Sequence, residues 1–472
     1  MPTQTAPALS DLLQRQKTAA ASEPFPDYEH RRAWLAKLLA LTENHENDIS
    51  TAIDADFGGR SSQETRLAEL LIVRAGIRHA MSHLKSWMRP KRIHTGMAFW
   101  PARNRLVPQP LGVVGVVSPW NYPFQLALAP AVAALAAGNR VMIKPSELTP
   151  RFSDLLAQLV TKYFTPEEVA VAIGDAEVGK VFVALPFDHL VFTGSTQVGR
   201  HVALAAAKNL TPVTLELGGK SPTIFDPSCD LDKAVASVAY AKLLNAGQTC
   251  IAPDYLMVPA GQGATIAAKL AAAMARLYPR IVSNSDYTAI VSDRHHQRLG
   301  ELVGEARQGG AEIIEINPAG ETSGNKRKFL PTLVLGADPE TRLMREEIFG
   351  PVLPIVEYRD IEAAIAFVNG RDRPLALYWF GRDGARRDKI LRETVSGGVT
   401  INDCLLHIAQ ESQPFGGVGP SGMGAYHGEW GFRAFSKEKP VFIQSPLNAG
   451  AMLRPPYGAR FEQVLKLFRL LT

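Results

Sequence analysis

The sequence predicts an α/β fold of two doubly wound domains, and three observations carry that reading. Short, almost wholly apolar runs alternate with helical patterns from Leu111 onward. These runs lack the apolar/polar alternation of a half-exposed strand, as expected of parallel strands covered on both faces. The series restarts at Ser221, after paired glycines at Gly218 and Gly219, and 472 residues are too many for one simple core.

The elements follow in order. From Tyr28 to about Trp87, apolar positions recur near a spacing of 3.6, which predicts helices. Leu111 to Ser118 reads as the first buried strand. Phe124 to Ala137 reads as a helix closed by Gly138-Asn139, a pair suited to a left-handed helix end. Arg140 to Lys144 is the next strand. Thr149-Pro150 opens a helix to about Phe164, with proline where its missing N–H costs nothing. Val169 to Ile173, Asp188 to Thr193 and Pro212 to Leu217 are further strands separated by helices. In the second series a strand reaches Phe225, a helix spans Asp230 to Asn245, a loop holds Cys250, and a strand covers Tyr255 to Val258. More units continue to Ile401. The Cys250 loop then falls in the cleft between the domains, where small-molecule sites concentrate.

Composition narrows the function. Apolar residues make up 46% and charged residues 21%, and the net charge of +5 from 51 basic and 46 acidic residues is scattered. No basic stripe interleaved with aromatics marks a nucleic-acid surface; Arg89 to Arg92 reads as a solvated loop or a phosphate contact. Three cysteines far apart make no disulfide framework and suit a reducing compartment. His295-His296 lacks partners at ligand spacing, so no metal is expected. Met1 to Ala6 lacks the basic and apolar regions of a signal peptide. The stretch from Phe124 to Gly138 is too short to span a bilayer. A cytoplasmic protein without a transmembrane segment is expected.

Three segments carry reactive groups. Cys250 lies in the loop from Asn245 to Pro253, among small and polar residues where a thiol can reach a substrate. Thr214 to Lys220 sets Glu216 in an apolar strand that ends at paired glycines. Apolar neighbours raise a carboxylate toward the range of a useful base; the other reading of Glu216 is a salt-bridged strand residue. Pro119 to Pro123 offers the Asn121 amide in a rigid turn. Thiol nucleophile, carboxylate base and amide donor suffice for covalent chemistry on a carbonyl. Cys229 and Cys404 read as packing or lining residues.

Other segments suggest a dinucleotide. His189 to Gly199 is a strand, a glycine turn and a helix start, and Gly194, Ser195 and Gly199 let backbone N–H groups approach a pyrophosphate. The spacing G-x-x-x-x-G fits an ordinary βα turn equally well. Lys144 and Glu147 at a strand end can bind the hydroxyls of an adenosine ribose, or form a solvated strand end. Glu347 and Phe349, within Glu346 to Pro351, can hold a second ribose and a flat ring, or form a capped turn with a buried Phe.

Taken together, these segments resemble the NAD(P)-dependent aldehyde dehydrogenase superfamily over nearly the whole chain. The matches are PWNYP at 119–123, KPSE at 144–147, FTGST at 192–196, LELGGKSP at 215–222, GQTC at 247–250, EEIFGP at 346–351 and PFGGVGPSGMG at 414–424. GQTCIAPDY, the ending MGAYHGEWGFRAFSKEKPV and the following RPPYG resemble the class 3 branch. DADFGGRSSQET and WMRPKRI resemble the bacterial coniferyl-aldehyde dehydrogenases within it.

The resemblance implies an aldehyde dehydrogenase-like α/β fold. Its Rossmann-type cofactor domain would comprise 1–94 and 110–217, with 405–440 returning to it. A catalytic domain would cover 218–404, a small β oligomerisation arm 95–109 and 441–445, and a C-terminal tail 446–472. It further implies that Cys250, its thiolate favoured locally, attacks the aldehyde to give a thiohemiacetal whose oxyanion Asn121 and the Cys250 N–H hold. Hydride passes to the nicotinamide, and Glu216 activates water to hydrolyse the thioester. Trp120, Lys144, Glu147, Gly194, Ser195, Gly199, Glu347 and Phe349 are implied at the cofactor. Glu147 favours NAD by repelling a 2′-phosphate, with NADP possible.

Tyr122, Thr249, Ile251, Leu405, His407 and Ile408 are expected to border the substrate entrance. They are mainly apolar and include no arginine anchor for an acidic semialdehyde. That points to an aromatic aldehyde or a phenylpropenal such as coniferyl aldehyde, with a general medium- or long-chain aliphatic aldehyde as the alternative. A homodimer is expected. The stripe Phe461, Val464, Leu465 and Phe468 should pack on the dimer or on the chain's own body. A CoA-acylating semialdehyde dehydrogenase would need no hydrolytic base, and a silent binding protein would lack the reactive groups. Cys250, Glu216 and Asn121 are all present.

Overall fold

A computed structural model describes residues 5–322, 327–448 and 450–471. Its strands run in chain order as β1 (Lys91–Ile93), β2 (Arg103–Pro110), β3 (Val113–Val117), β4 (Arg140–Lys144), β5 (Val169–Val171), β6 (His189–Thr193), β7 (Val213–Glu216) and β8 (Pro222–Phe225). They continue as β9 (Tyr255–Pro259), β10 (Glu312–Glu315), β11 (Thr332–Leu335), β12 (Val352–Tyr358), β13 (Ala376–Phe380), β14 (Gly398–Ile401), β15 (Gly422–Met423) and β16 (Ser436–Ile443).

They form three sheets. One is ordered β15-β7-β6-β3-β4-β5 and is parallel except for β15. The second, β10-β11-β12-β9-β8-β13-β14, is parallel except for β10. The third, β1-β2-β16, is antiparallel.

The apolar runs explain the first sheet. Val114, Val116, Val141, Ile143 and Val191 join one core cluster, while Val113, Met142, Leu190, Phe192 and Leu215 join another. Successive side chains alternate faces, so both faces must be covered. Helices Tyr28–Asn44, Leu71–Trp87, Pro123–Ala136 and Pro150–Tyr163 contribute to the first cluster. Helices Ala6–Ser22, Ala176–Val183 and Thr196–Ala207 contribute to the second. Ala6–Ser22 is an element the sequence pattern did not reveal. Leu9 and Leu13 seat it, and Gln16 Nε2 donates to Val141 O (3.0 Å) and Pro166 O (2.9 Å).

The third sheet stands apart. β2 and β16 pair from Pro110↔Ser436 to Arg103↔Ile443. The terminal helix Ala459–Leu471 leans on this arm: Val464 is buried and Phe468 meets Phe99 edge-on with centroids 5.9 Å apart. Among the described residues, no helix is long and apolar enough to cross a membrane.

Candidate active site

β7 delivers Glu216 at its carboxyl end, and helix Leu231–Leu243 delivers Cys250 through a turn. The sequence predicts this helix to reach Asn245; it ends two residues earlier. Asn245 (φ 52°), Ala246 (φ 51°) and Gly247 (φ 73°) all lie in the left-handed region. Two of the three carry a Cβ, and such residues persist only where surroundings over-determine them.

Here they do. The Asn245 N–H donates to both oxygens of Glu64 at 3.1 Å, and Thr288 Oγ1 donates to Glu64 at 2.7 Å. Asn245 Nδ2 donates to Asn121 O (3.0 Å) and Gln248 O (3.1 Å). Gln248 Nε2 donates to Asn245 O (2.9 Å) and Ala289 O (3.0 Å), while Gln248 Oε1 accepts from Val291 N–H (3.0 Å). At Gly247 any Cβ would strike the Gly350 carbonyl. The turn therefore aims Cys250 from a fixed frame.

The Asn121 turn is clamped from the other side. Arg60 Nη1 donates to Asn121 O (2.8 Å), and buried Arg60 pairs with buried Glu69 (3.2 Å). Glu69 Oε2 accepts from Phe124 N–H (2.7 Å) and Gln125 N–H (3.1 Å) at the start of helix Pro123–Ala136. Asn121 Nδ2 donates to Gln248 O (3.2 Å), two residues from Cys250. Glu64, Arg60, Glu69 and Gln248 were not identified from the sequence. For Arg60, Glu64 and Glu69 the only signal is a cluster of charge in the otherwise helical text at 60–69, and Gln248 stands within the GQTC match without a role of its own.

Electrostatics set the chemistry. Glu216 is buried, and neither of its oxygens has a hydrogen-bond partner among the described residues. It is therefore no salt-bridged strand residue, and burial pushes its carboxyl well above the ordinary range. The expectation of a locally favoured Cys250 thiolate is corrected: burial, then Glu347 and Glu216, push this thiol up to about 12. Two carboxylates beside a desolvated thiol oppose a second negative charge. Glu347 is itself pushed up to about 8 by burial and then Asp254. It packs so close to Gly218 that no Cβ would fit there. Cys229 and Cys404 are also raised, mainly by burial.

A cavity of about 300 Å³ ends at Cys250. Tyr122, Thr249, Ile251, Leu405 and Ile408 line it, joined by Leu67, Ile72, Leu126, Tyr240, Leu244 and Leu406. The added residues come mostly from helical faces whose apolar spacing read simply as core. Among the described residues, Asp403 is the only charged group in the lining. Tyr122 Oη and Thr249 Oγ1 share a hydrogen bond of 2.7 Å. His407 does not line the cavity, contrary to expectation. Leu405 takes φ 67°, and the short 3₁₀ turn Leu406–Ala409 swings His407 back toward β14, where Nδ1 meets Thr400 Oγ1 at 2.8 Å.

The other predicted residues gather at the carboxyl ends of β3, β4 and β6. The chain winds outward to β4 on one side of β3 and to β6 on the other, a switch point where α/β sheets take ligands. Lys144 is buried, donates to Pro145 O (2.8 Å) and lies 3.7 Å from half-exposed Glu147. Burial lowers its ammonium despite Glu147. Ser195 caps helix Thr196–Ala207 through Val198 N–H (3.4 Å). A Cβ at Gly199 would come within 2.5 Å of Leu217, and one at Gly194 within 2.5 Å of Phe192. Trp120 meets Phe349 edge-on at 5.4 Å, joining this crevice to Glu347. A helix N-terminus, a lysine–glutamate pair and an aromatic edge at a switch point fit a dinucleotide. Among the described residues, no group of His, Cys, Asp and Glu could hold a metal.

Comparison with known proteins agrees with this geometry. The aldehyde dehydrogenase family model matches residues 11–441. A "probable coniferyl aldehyde dehydrogenase" of Caulobacter vibrioides is 49% identical over 464 residues, covering 97% of this chain and 96% of that protein. A "coniferyl aldehyde dehydrogenase" of Pseudomonas sp. strain HR199 is 45% identical over 462 residues, covering 97% and 96%. The substrate-bound Staphylococcus aureus AldH structure superposes with a TM-score of 0.91 at 36% identity, covering 97% of this chain and 99% of that one. The chain therefore belongs to the aldehyde dehydrogenase family and is an NAD(P)-dependent oxidoreductase that oxidises aldehydes.

Proposed function

We propose that this enzyme oxidises a bulky, apolar aldehyde of the phenylpropenal type, coniferyl aldehyde, to its acid. The observation that carries this reading is the cavity ending at Cys250, whose lining is mainly aromatic and aliphatic and holds no basic side chain among the described residues. A substrate carboxylate there would lose hydration without gaining a cation. Two relatives, one named a coniferyl aldehyde dehydrogenase and one a probable coniferyl aldehyde dehydrogenase, support the same choice.

The site residues take these roles. Cys250 gives its proton to Glu216 as sulfur bonds the carbonyl carbon, because a thiol this disfavoured as thiolate needs a base alongside. Asn121 Nδ2 and the Cys250 N–H receive the oxyanion; one such donor is worth about 100- to 1000-fold in rate. NAD(P), when bound, supplies the hydride acceptor. Glu216 then takes a proton from water as the water attacks the thioester. The acid leaves, and Cys250 recovers its proton.

Lys144 and Glu147 would hold the adenosine ribose, Gly194, Ser195 and Gly199 the pyrophosphate, and Trp120, Glu347 and Phe349 the nicotinamide end. Glu147 would favour NAD over NADP. We assign the six-stranded sheet to the cofactor domain and the seven-stranded sheet to the catalytic domain. A homodimer through the antiparallel arm would cover its exposed Ile93, Phe99, Trp100 and Phe442. Three free cysteines suit a cytoplasmic setting.

The test compares kcat/KM for coniferaldehyde, benzaldehyde, hexanal and succinic semialdehyde under one set of conditions. Coniferaldehyde should be preferred. A clear win for hexanal would make the enzyme a general aliphatic aldehyde oxidiser, and a win for the acidic semialdehyde would refute the apolar-site reading.

A further inference from the structure

We propose that Asp403, held by Ser237, accepts the ring hydroxyl of a 4-hydroxyphenyl aldehyde at the outer part of the cavity. It is then the residue by which this enzyme prefers hydroxylated phenylpropenals to their O-methylated or unhydroxylated counterparts. The proposal rests on the substrate reading given above and deepens it. An apolar aldehyde alone gives no reason for a carboxylate in the lining. Yet Asp403 stands there, the only charged group among the described lining residues. A carboxylate in apolar surroundings costs desolvation unless hydrogen bonds repay it.

The cavity has a closed end and an open one. Tyr122, Thr249 and Ile251 are buried beside Cys250, whereas Leu67, Tyr240 and Leu406 are 49%, 45% and 52% exposed. Helix Leu231–Leu243 runs along it, contributing Ser237, Tyr240 and Ala241 before the turn that leads through Leu244 to Cys250. Ser237 precedes Leu244 by two helical turns, about 10 Å along the axis. That matches the reach of an extended phenylpropenal from its aldehyde carbon to its ring hydroxyl. Conjugation keeps such a molecule a flat rod, so an aldehyde seated at Cys250 sets the hydroxyl at the level of Ser237. Half-buried Asp403 is tied to that level. Ser237 Oγ donates to Asp403 Oδ1 (2.5 Å), and the Cys404 N–H donates to the same oxygen (2.8 Å). Both bonds fall on Oδ1, and no group among the described residues donates to Oδ2.

The chemistry of the pair is selective. A carboxylate oxygen accepts and cannot donate. A phenol offers it a proton, and the resulting charge-assisted bond is stronger than a neutral one. A methyl ether has no proton to offer and would face Oδ2 with a second acceptor. A ring without the hydroxyl would strip water from Oδ2 and return nothing. The same carboxylate repels the acid group of a semialdehyde. Ser237 and the Cys404 N–H fix Oδ1, so Oδ2 is held in place before the substrate arrives.

The test measures kcat/KM for four aldehydes in the parent, Asp403→Asn and Ser237→Ala. They are coniferaldehyde, its methyl ether 3,4-dimethoxycinnamaldehyde, 3-methoxycinnamaldehyde, which lacks the hydroxyl without adding bulk, and hexanal. The parent should favour coniferaldehyde over both analogues by about tenfold or more, as a hydrogen bond to a charged group at a partly solvated site gives. Asparagine keeps an oxygen for Ser237 and the Cys404 N–H but puts an N–H donor where Oδ2 stood, and that donor serves hydroxyl and ether alike. In Asp403→Asn the preference over the ether should therefore fall below about twofold. Ser237→Ala leaves the carboxylate but frees it to turn, so the preference should fall severalfold, a readout that remains where Asp403→Asn fails to fold. A role in packing alone would slow all four aldehydes and leave the ratios unchanged, which overturns the proposal. A parent that rejects only the bulkier ether overturns it too. If coniferaldehyde beats hexanal but neither analogue is disfavoured, the hydroxyl site is wrong and the substrate reading stands. If hexanal beats coniferaldehyde while the ratios shift as expected, the substrate reading fails and the hydroxyl site stands.

Discussion

Glu64→Ala should cripple the enzyme although Glu64 touches no reacting atom. Its carboxylate takes both the Asn245 N–H and the Thr288 hydroxyl, and it is buried. Removing it leaves the Asn245 N–H unpaired in the interior, which costs about 1–3 kcal/mol, and forfeits the Thr288 bond at about 1 kcal/mol. Relief from desolvating a carboxylate, which burial raises in pKa, offsets part of this. The net loss is about 2–3 kcal/mol. For a chain of this length that lowers the melting temperature by roughly 2–3 °C, since unfolding entropy is about 2 cal/mol/K per residue.

The catalytic effect should be larger. Asn245 and Ala246 would be free to leave the left-handed region, and Cys250 would move with them. A displacement near 1 Å typically costs about 100-fold. The assay is kcat/KM from NADH absorbance beside a melting curve, with Thr288→Val as a milder companion. A variant that melts a few degrees lower yet keeps kcat/KM within twofold of the parent would refute the idea that this clamp positions the nucleophile.

Two further predictions concern charge. Alkylation of Cys250 by iodoacetamide in the free enzyme should accelerate about tenfold per pH unit from pH 7 to 10 without a plateau, because burial, Glu347 and Glu216 hold its thiol up to about 12; a plateau below pH 9 would contradict this. Glu147→Ser should raise the ratio of NADP to NAD efficiency roughly fivefold to tenfold, since Lys144, 3.7 Å away, would then face the 2′-phosphate without a competing carboxylate; an unchanged ratio would move the ribose site elsewhere.

The parallel strands were legible because burial on both faces leaves an unbroken apolar run, as in β3 and β4. β16 was less so: Ser436–Ile443 is mostly exposed, and charged residues obscure its pairing with β2. Cys250, Glu216 and Asn121 were legible because unusual residue types sit at strand ends and turns. Their supports were not. Arg60, Glu64 and Glu69 stand in text read only as helical, with nothing local to show that each is buried against partners distant in sequence. The left-handed run at Asn245 carries only Gly247 as a signal. His407 is expected at the entrance, but one residue of positive φ at Leu405 turns it away, and no residue type in that segment signals the turn. The thiol was expected to ionise readily because nothing in GQTC reveals that Glu347 folds alongside it.

An acyl group carried by Cys250 and removed by Glu216 should accumulate once the base is lost. Glu216→Gln, mixed with coniferaldehyde and NAD, quenched in acid and digested, should yield an acylated peptide containing Cys250 at about one equivalent per site. NADH should appear in the same amount and then stop. Steady turnover without an adduct, or an adduct on Cys229 or Cys404 instead, would contradict the account.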